Sequence, residues 1–263
     1  MSEQAPPPPY ATAVARVRRL PAGEESDDRL AVEEPLEIRV NGEPVAVTMR
    51  TPGHDDELAL GFCLTEGIPA RAVRVPADLA ANTVEVEAPG FDASRLRRAF
   101  YTSSSCGVCG KGAIEQVAVE AAPVESALCV SVELVASLPE RLRAGQTVFE
   151  ATGGLHATGL FTASGSLLCL REDVGRHNAL DKVVGWAAAA GRLPLADAVL
   201  CVSGRLSFEL VQKASVAGCP VVVAVGAPSS LAVELAVDRR ITLCGFAREG
   251  RVNVYSVPER VAA

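Results

Sequence analysis

Apolar and polar side chains alternate most clearly at residues 36–40 and 45–49, two short runs that flank Asn41-Gly42. A β-rich pair around Asn-Gly predicts a hairpin with a two-residue turn, and Thr51-Pro52-Gly53 closes it. From Asp55 to Thr65 the pattern changes period. Leu58, Gly61, Phe62 and Leu64 recur at helical spacing behind an acidic first turn, so a helix is predicted there, ended by Gly67. A strand at 83–87, a short basic helix around 95–98 and a helix over 113–119 follow. Residues 131–149 then read as one amphipathic helix burying Leu134, Val135, Leu138, Leu142 and Val148.

Beyond residue 150 short apolar strands alternate with helices. The strands are expected near 158–162, 167–172, 198–203, 220–225, 241–246 and 252–256, and the helices near 177–189, 207–217 and 229–238. Runs such as 220–225, apolar throughout, suit parallel strands buried on both faces of a three-layer α/β domain. The predicted fold class is therefore α/β, with an α+β unit over 12–150 and the α/β domain over 151–263. Residues 1–11 include Pro6 to Pro9 and lack periodicity, which suggests a disordered lead-in.

Composition narrows the setting. A formal net charge of -7 argues against a broad basic surface for nucleic acid. No apolar run reaches the roughly 18 residues a membrane helix needs, and the amino terminus lacks a basic segment followed by an apolar one. The expectation is a soluble cytoplasmic protein without a nucleic-acid or membrane partner. Most of the eight cysteines sit singly in apolar stretches, as small core hydrophobes do, and not as a disulfide framework.

Two cysteines differ. Cys106 and Cys109 lie in the run 102–112, a loop of serines and glycines with Lys111 beside the pair. Small neighbours leave the sulfurs uncovered, and a nearby cation favours thiolate over thiol. Sulfur chemistry is the reading this favours. A structural zinc site would need a second close pair, which the spacing does not supply, and His54, His156 and His177 are far apart in sequence, so no metal is assigned. Thioredoxin-like exchange stays open, although the strand context expected around such a motif is missing.

Polar clusters fall where the second domain's strands should end. Residues 171–182 crowd acids, cations, Asn178 and His177 around one helix start; Ser203-Gly204-Arg205 follows the next strand, with Ser207 as an expected N-cap; Gly226 to Ser230 follows the third. Open α/β sheets collect ligands at such ends, and helix amino termini there suit phosphate. Arg176, His177, Ser203, Gly204 and Arg205 are therefore candidate contacts. The last cluster, Phe246-Ala247-Arg248-Glu249-Gly250-Arg251, offers a ring to stack and guanidiniums to fork onto phosphate, as a nucleotide-bearing cofactor would need. Each cluster also has a plainer reading. His177 would then bond a local carboxylate such as Asp173 or Asp181, His156 would be a loop residue, and Arg248 and Arg251 would flank a surface turn. Asp55, Asp56 and Glu57 fit helix-dipole partners better than catalytic acids.

The runs 104–110, 154–161, 172–182, 203–205 and 226–229 together resemble the FdhD family of formate dehydrogenase accessory sulfurtransferases, in that family's order, over about residues 36–257. The resemblance implies a cytidine-deaminase-like α/β domain and a cytoplasmic homodimer. It also implies a sulfurtransferase that takes persulfide sulfur from a cysteine desulfurase. The acceptor would be the molybdenum bis(molybdopterin guanine dinucleotide) cofactor of formate dehydrogenase, for which GDP is the natural mimic. Carried over from the motif, Cys106 bears the persulfide and Cys109 assists, and 246–251 binds the cofactor. Deaminase chemistry is not expected, because its H-x-E and P-C-x-x-C zinc signature is absent. A chaperone that binds the cofactor without transferring sulfur is the competing reading.

Overall fold

In the computed structural model, residues 6–75, 82–92 and 119–262 are described. Strands β3 (Glu34–Val40) and β4 (Glu43–Arg50) form the predicted hairpin, and Asn41 and Gly42 have φ of +51° and +84°. Two positive φ values define the type I′ turn, which Asn-Gly favours. With β5 (Ala72–Arg74) and β6 (Thr83–Glu87) the hairpin makes a four-stranded sheet in the order β4-β3-β6-β5. Helix α1 (Asp55–Thr65) buries Leu58, Ala59 and Cys63 against Leu36, Ile38, Val40, Val84 and Val86. The helix expected near 95–98, and residues 113–118 of the one expected over 113–119, lie outside the described residues.

Two strands carry no legible signal. β1 (Thr12–Arg19) and β2 (Glu24–Ala31) pair as a hairpin in which no residue is fully buried, so apolar alternation has nothing to record. A continuous antiparallel ladder joins them, with Arg16 bridging Glu25 and Asp27 at 3.5 and 3.3 Å on the exposed surface. Residues 9–11, assigned by composition to a disordered lead-in, form a short 3-10 turn whose Ala11 is buried.

A second sheet has six strands, β8 (His156–Thr162), β9 (Leu167–Asp173), β10 (Ala198–Val202), β11 (Val221–Ala224), β12 (Thr242–Arg248) and β13 (Arg251–Ser256). Their spatial order is β13-β12-β11-β10-β8-β9. Within this sheet β10, β11 and β12 pair in parallel, as the apolar run 220–225 suggests, while β8, β9 and β13 join antiparallel. The cause is connection length. Tight turns link β8 to β9 and β12 to β13 and return the chain antiparallel, whereas parallel neighbours need a crossover. Helices α4 (Arg176–Ala189), α5 (Phe208–Val216) and α6 (Ser230–Asp238) cover one face through a core including Leu180, Val183, Leu210 and Ala232. On the other face α2 (Val132–Ala144) packs Val135, Leu138 and Leu142 onto Phe161, Val199, Val223 and Cys244. Short strands β7 (Val130–Ser131) and β14 (Val261–Ala262) pair beside α2.

The helix expected over 131–149 is two helices. Gln146 adopts φ -82° and ψ 79°, and α3 (Thr147–Thr152) starts afresh. Two contacts explain the break. Gly145 lies so close to β9 that an added Cβ would sit 2.7 Å from Leu170 Cδ1. The Glu172 carboxylate then accepts the N–H groups of Val148 and Phe149 at 2.9 and 2.8 Å, supplying the partners a helix start lacks.

Candidate functional site

Strand pairing brings the carboxyl ends of β9, β10, β11 and β12 to one sheet edge, beside the amino end of β8. His156 pairs with Asp173 and Thr158 with Val202. Helices α4, α5 and α6 begin at the same edge. Hydrogen bonds run on past the strand ends, from Gly226 N–H to the Gly204 carbonyl (3.1 Å) and from Phe246 N–H to the Gly226 carbonyl (3.2 Å). A side chain on Gly226 would meet that Gly204 oxygen at 3.0 Å, so glycine is needed for the close approach.

A cavity of about 760 Å³ opens at this edge. One wall is strand ends, with His156, Ser203, Val225, Ala247 and Arg248; the other comes from α2, α3 and the turn between them, with Glu140, Arg143, Gln146 and Phe149. The Arg143 guanidinium lies 4.5 Å over the Phe149 ring and pairs with Glu150 at 2.5 Å. Burial lowers the pKa of His156, and the nearby Arg176 charge lowers it further, which favours the neutral imidazole. Ser203 Oγ accepts the Ala157 N–H at 2.9 Å, which leaves its own O–H free to donate. Two guanidiniums, a hydroxyl and a neutral imidazole suit an anionic ligand with a polar, ring-bearing body.

Of the sequence-derived candidates, Ser203, Ala247 and Arg248 line this cavity. Gly204 adjoins it, because an added Cβ there would lie 3.5 Å from His156 Nδ1. Phe246, in a bulge of β12 with φ +54°, is 41% exposed, and Glu249 and Gly250 form the β12–β13 turn next to exposed Arg251. Arg176, His177 and Arg205 stand at the edge outside the cavity wall. His177 Nε2 is 3.1 Å from the Glu209 carboxylate and 3.3 Å from Ser207 Oγ, and this bond holds Glu209 down to about 2. Ser207 occupies the N-cap position but donates to Glu209 at 3.2 Å and makes no capping bond, which corrects the expected role of its hydroxyl.

Cys106, Cys109 and the loop 102–112 lie outside the described residues. Cys63, Cys169, Cys201, Cys219 and Cys244 are buried as expected, and burial pushes Cys63, Cys169, Cys219 and Cys244 up to about 12. Cys129 is exposed, contrary to its reading as a core filler. The α2–α3 wall was missed because its residues look like the polar face of an uninterrupted helix. The one available sign was Gly145-Gln146 in the middle of that pattern.

The sequence profile of the FdhD/NarQ family matches residues 31–262. The chain belongs to that family. It is 50% identical over 273 residues to the sulfur carrier protein FdhD of Mycobacterium tuberculosis, covering 96% of this chain and 99% of that one. Identity to the Streptomyces avermitilis protein of the same name is 51% over 256 residues, or 89% of each chain. The crystal structure of a candidate formate dehydrogenase accessory protein from Desulfotalea psychrophila is similar, with a TM-score of 0.74 at 27% identity, covering 95% of this chain and 98% of that one.

In this FdhD/NarQ chain the motif 172–182 divides its labour. Asp173, Asn178, Asp181 and Lys182 are buried and fasten α4 to the first unit, whereas Arg176 and His177 stay at the sheet edge. Arg171, just before the motif, forks onto Glu57 of α1 at 2.5 and 2.7 Å, so that acid is an ion-pair partner.

Proposed function

We propose that this chain is a sulfur carrier that loads persulfide sulfur on Cys106 from a cysteine desulfurase. It passes that sulfur to the molybdenum bis(molybdopterin guanine dinucleotide) cofactor needed for formate dehydrogenase activity. The observation that carries the reading is half-identity, along nearly the whole chain, to proteins named sulfur carrier protein FdhD. The cavity supports the acceptor. Its volume of about 760 Å³ lies within the roughly 300–1,000 Å³ of small-molecule sites, enough for one nucleotide end of the cofactor. Arg248 supplies charge for its phosphates.

Loading is thiol exchange. The Cys106 thiolate attacks the outer sulfur of the donor persulfide, a new S–S bond forms, and the donor cysteine leaves as thiolate with no net oxidation. Cys109, three residues on, is placed in the chain to assist release. The same reading has the protein cytoplasmic and homodimeric, with an α/β domain related in fold to cytidine deaminases.

Incubation with a desulfurase and cysteine, followed by intact-mass measurement, tests the proposal. One added sulfur atom is expected on the parent and none on Cys106→Ala. An adduct retained in that variant, or absent from the parent, favours a chaperone that escorts the cofactor, and a Cys106–Cys109 disulfide without added sulfur indicates thioredoxin-like exchange.

A further inference from the structure

The turn between α2 and α3 presents the cavity with a side chain that nothing else uses. Gln146 is 3% exposed, its N–H donates to the Arg143 carbonyl (3.2 Å) and its carbonyl accepts from Glu150 N–H (3.0 Å). Its side-chain amide lines the cavity and makes no hydrogen bond to any other described residue. The residue is largely buried, yet its amide still reaches the water of the cavity, which a ligand edge with matching donors and acceptors can replace. A ligand edge that both donates and accepts would satisfy the amide. Beside it lie the Arg143–Phe149 stack and Glu140, an exposed carboxylate with no ion-pair partner among the described residues.

We infer that this turn is the base-reading subsite of the cavity. Gln146 hydrogen-bonds the edge of a purine base, Glu140 accepts from its N–H donors, and the Arg143–Phe149 stack packs on its face. Arg248 and Ser203 on the strand-end wall take the phosphates. The inference rests on the proposed cargo being a guanine nucleotide cofactor, and it names the residues that choose the base. An amide matches the edge of either purine by turning over. A carboxylate only accepts, so it favours guanine, which offers a ring N–H and an amino group together, over adenine, which offers an amino group beside an acceptor nitrogen.

Calorimetric titration of the full chain with GDP, IDP and ADP tests this. The parent is expected to prefer GDP to both others, IDP lacking the 2-amino group. Gln146→Met, which keeps the side-chain volume and removes the amide, should weaken GDP binding about tenfold. Glu140→Gln, at an exposed position where folding is not at stake, should bring the GDP to IDP ratio close to one. Equal affinity for GDP and ADP in the parent, or parent-like GDP binding in both variants, overturns the assignment. Melting temperatures report whether each variant is folded. Persulfide loading of Cys106 needs no nucleotide, so the mass measurement and the titration fail independently.

Discussion

Lys182 Nζ lies 2.7 Å from the Asp173 carboxylate, and both side chains are at most 1% exposed. The pair is completed by neighbours. Lys182 also donates to the Thr51 carbonyl at 2.9 Å, while Asp173 accepts the N–H groups of Thr51 and Gly175 at 3.2 and 2.8 Å. The ion pair thus ties the turn after β4 to the start of α4, where the cavity-bearing sheet edge begins. Lys182→Met would leave a buried carboxylate without its cation, a change that costs about 3–5 kcal/mol. Chemical denaturation should show that loss, and adding Asp173→Asn should recover part of it. Unchanged stability in the single variant would contradict this account.

Helices α1 and α4 touch backbone to backbone. A Cβ on Gly61 would fall 1.8 Å from the Asp181 carbonyl oxygen, and one on Gly185 would fall 1.9 Å from that of Glu57. Neither contact ends in a flexible side chain, so the helices would have to separate. Gly61→Ala and Gly185→Ala should each destabilise by at least the upper part of the about 1–3 kcal/mol typical of overpacking. Reduced melting temperature or insoluble expression is the expected readout.

Much of the fold was legible because its elements bury one face. The β3–β4 turn is read from Asn41-Gly42, and α4 to α6 from periodic apolar positions between short strands. Elements that bury little or turn unexpectedly were not. β1 and β2 have no fully buried residue, so their sequence resembles a charged loop. The α2–α3 break depends on Leu170 and Glu172, more than twenty residues downstream, and a local pattern cannot register them. The site followed the same rule. Ser203 and Arg248 were found from strand-end position, and Gln146 was missed because its amide acquires meaning only when the helix is interrupted.

Glu57 makes acid stability measurable. Burial would raise its pKa, but the two hydrogen bonds from Arg171, with help from His54, hold it down to about 2 from 4.5. A carboxylate depressed on folding stabilises fully above its unfolded pKa and loses that contribution as pH falls through the folded value. The stabilisation should therefore be present above about pH 4.5 and disappear toward pH 2, on the order of 1–3 kcal/mol at this partly solvated site. Glu57→Gln should flatten the fall in stability over that window. An acid profile identical to the parent's would show that the Arg171 pair does not contribute.

The two motif cysteines should contribute unequally to sulfur transfer. Cys106 holds the transferable sulfur in the proposed cycle, whereas Cys109 assists its release, a role that external thiols can share. Cys106→Ala should abolish delivery, and Cys109→Ala should leave a measurable fraction, read as formate dehydrogenase activity restored in cells lacking the native carrier. Equal loss in both variants would mean the pair acts as one unit.

Arg248 and Arg251 are paired across the β12–β13 hairpin, yet only Arg248 lines the cavity. Their difference separates a binding segment from a binding residue. If phosphate is held by the guanidinium on the wall, Arg248→Ala should weaken GDP binding about tenfold or more and reduce its dependence on salt, as expected for a lost charge-assisted bond. Arg251→Ala should change the affinity less than threefold, since its exposed guanidinium is not part of the cavity wall. Titrations at low and high ionic strength distinguish the cases. An equal effect from both arginines would move the phosphates out of the cavity and onto the hairpin surface.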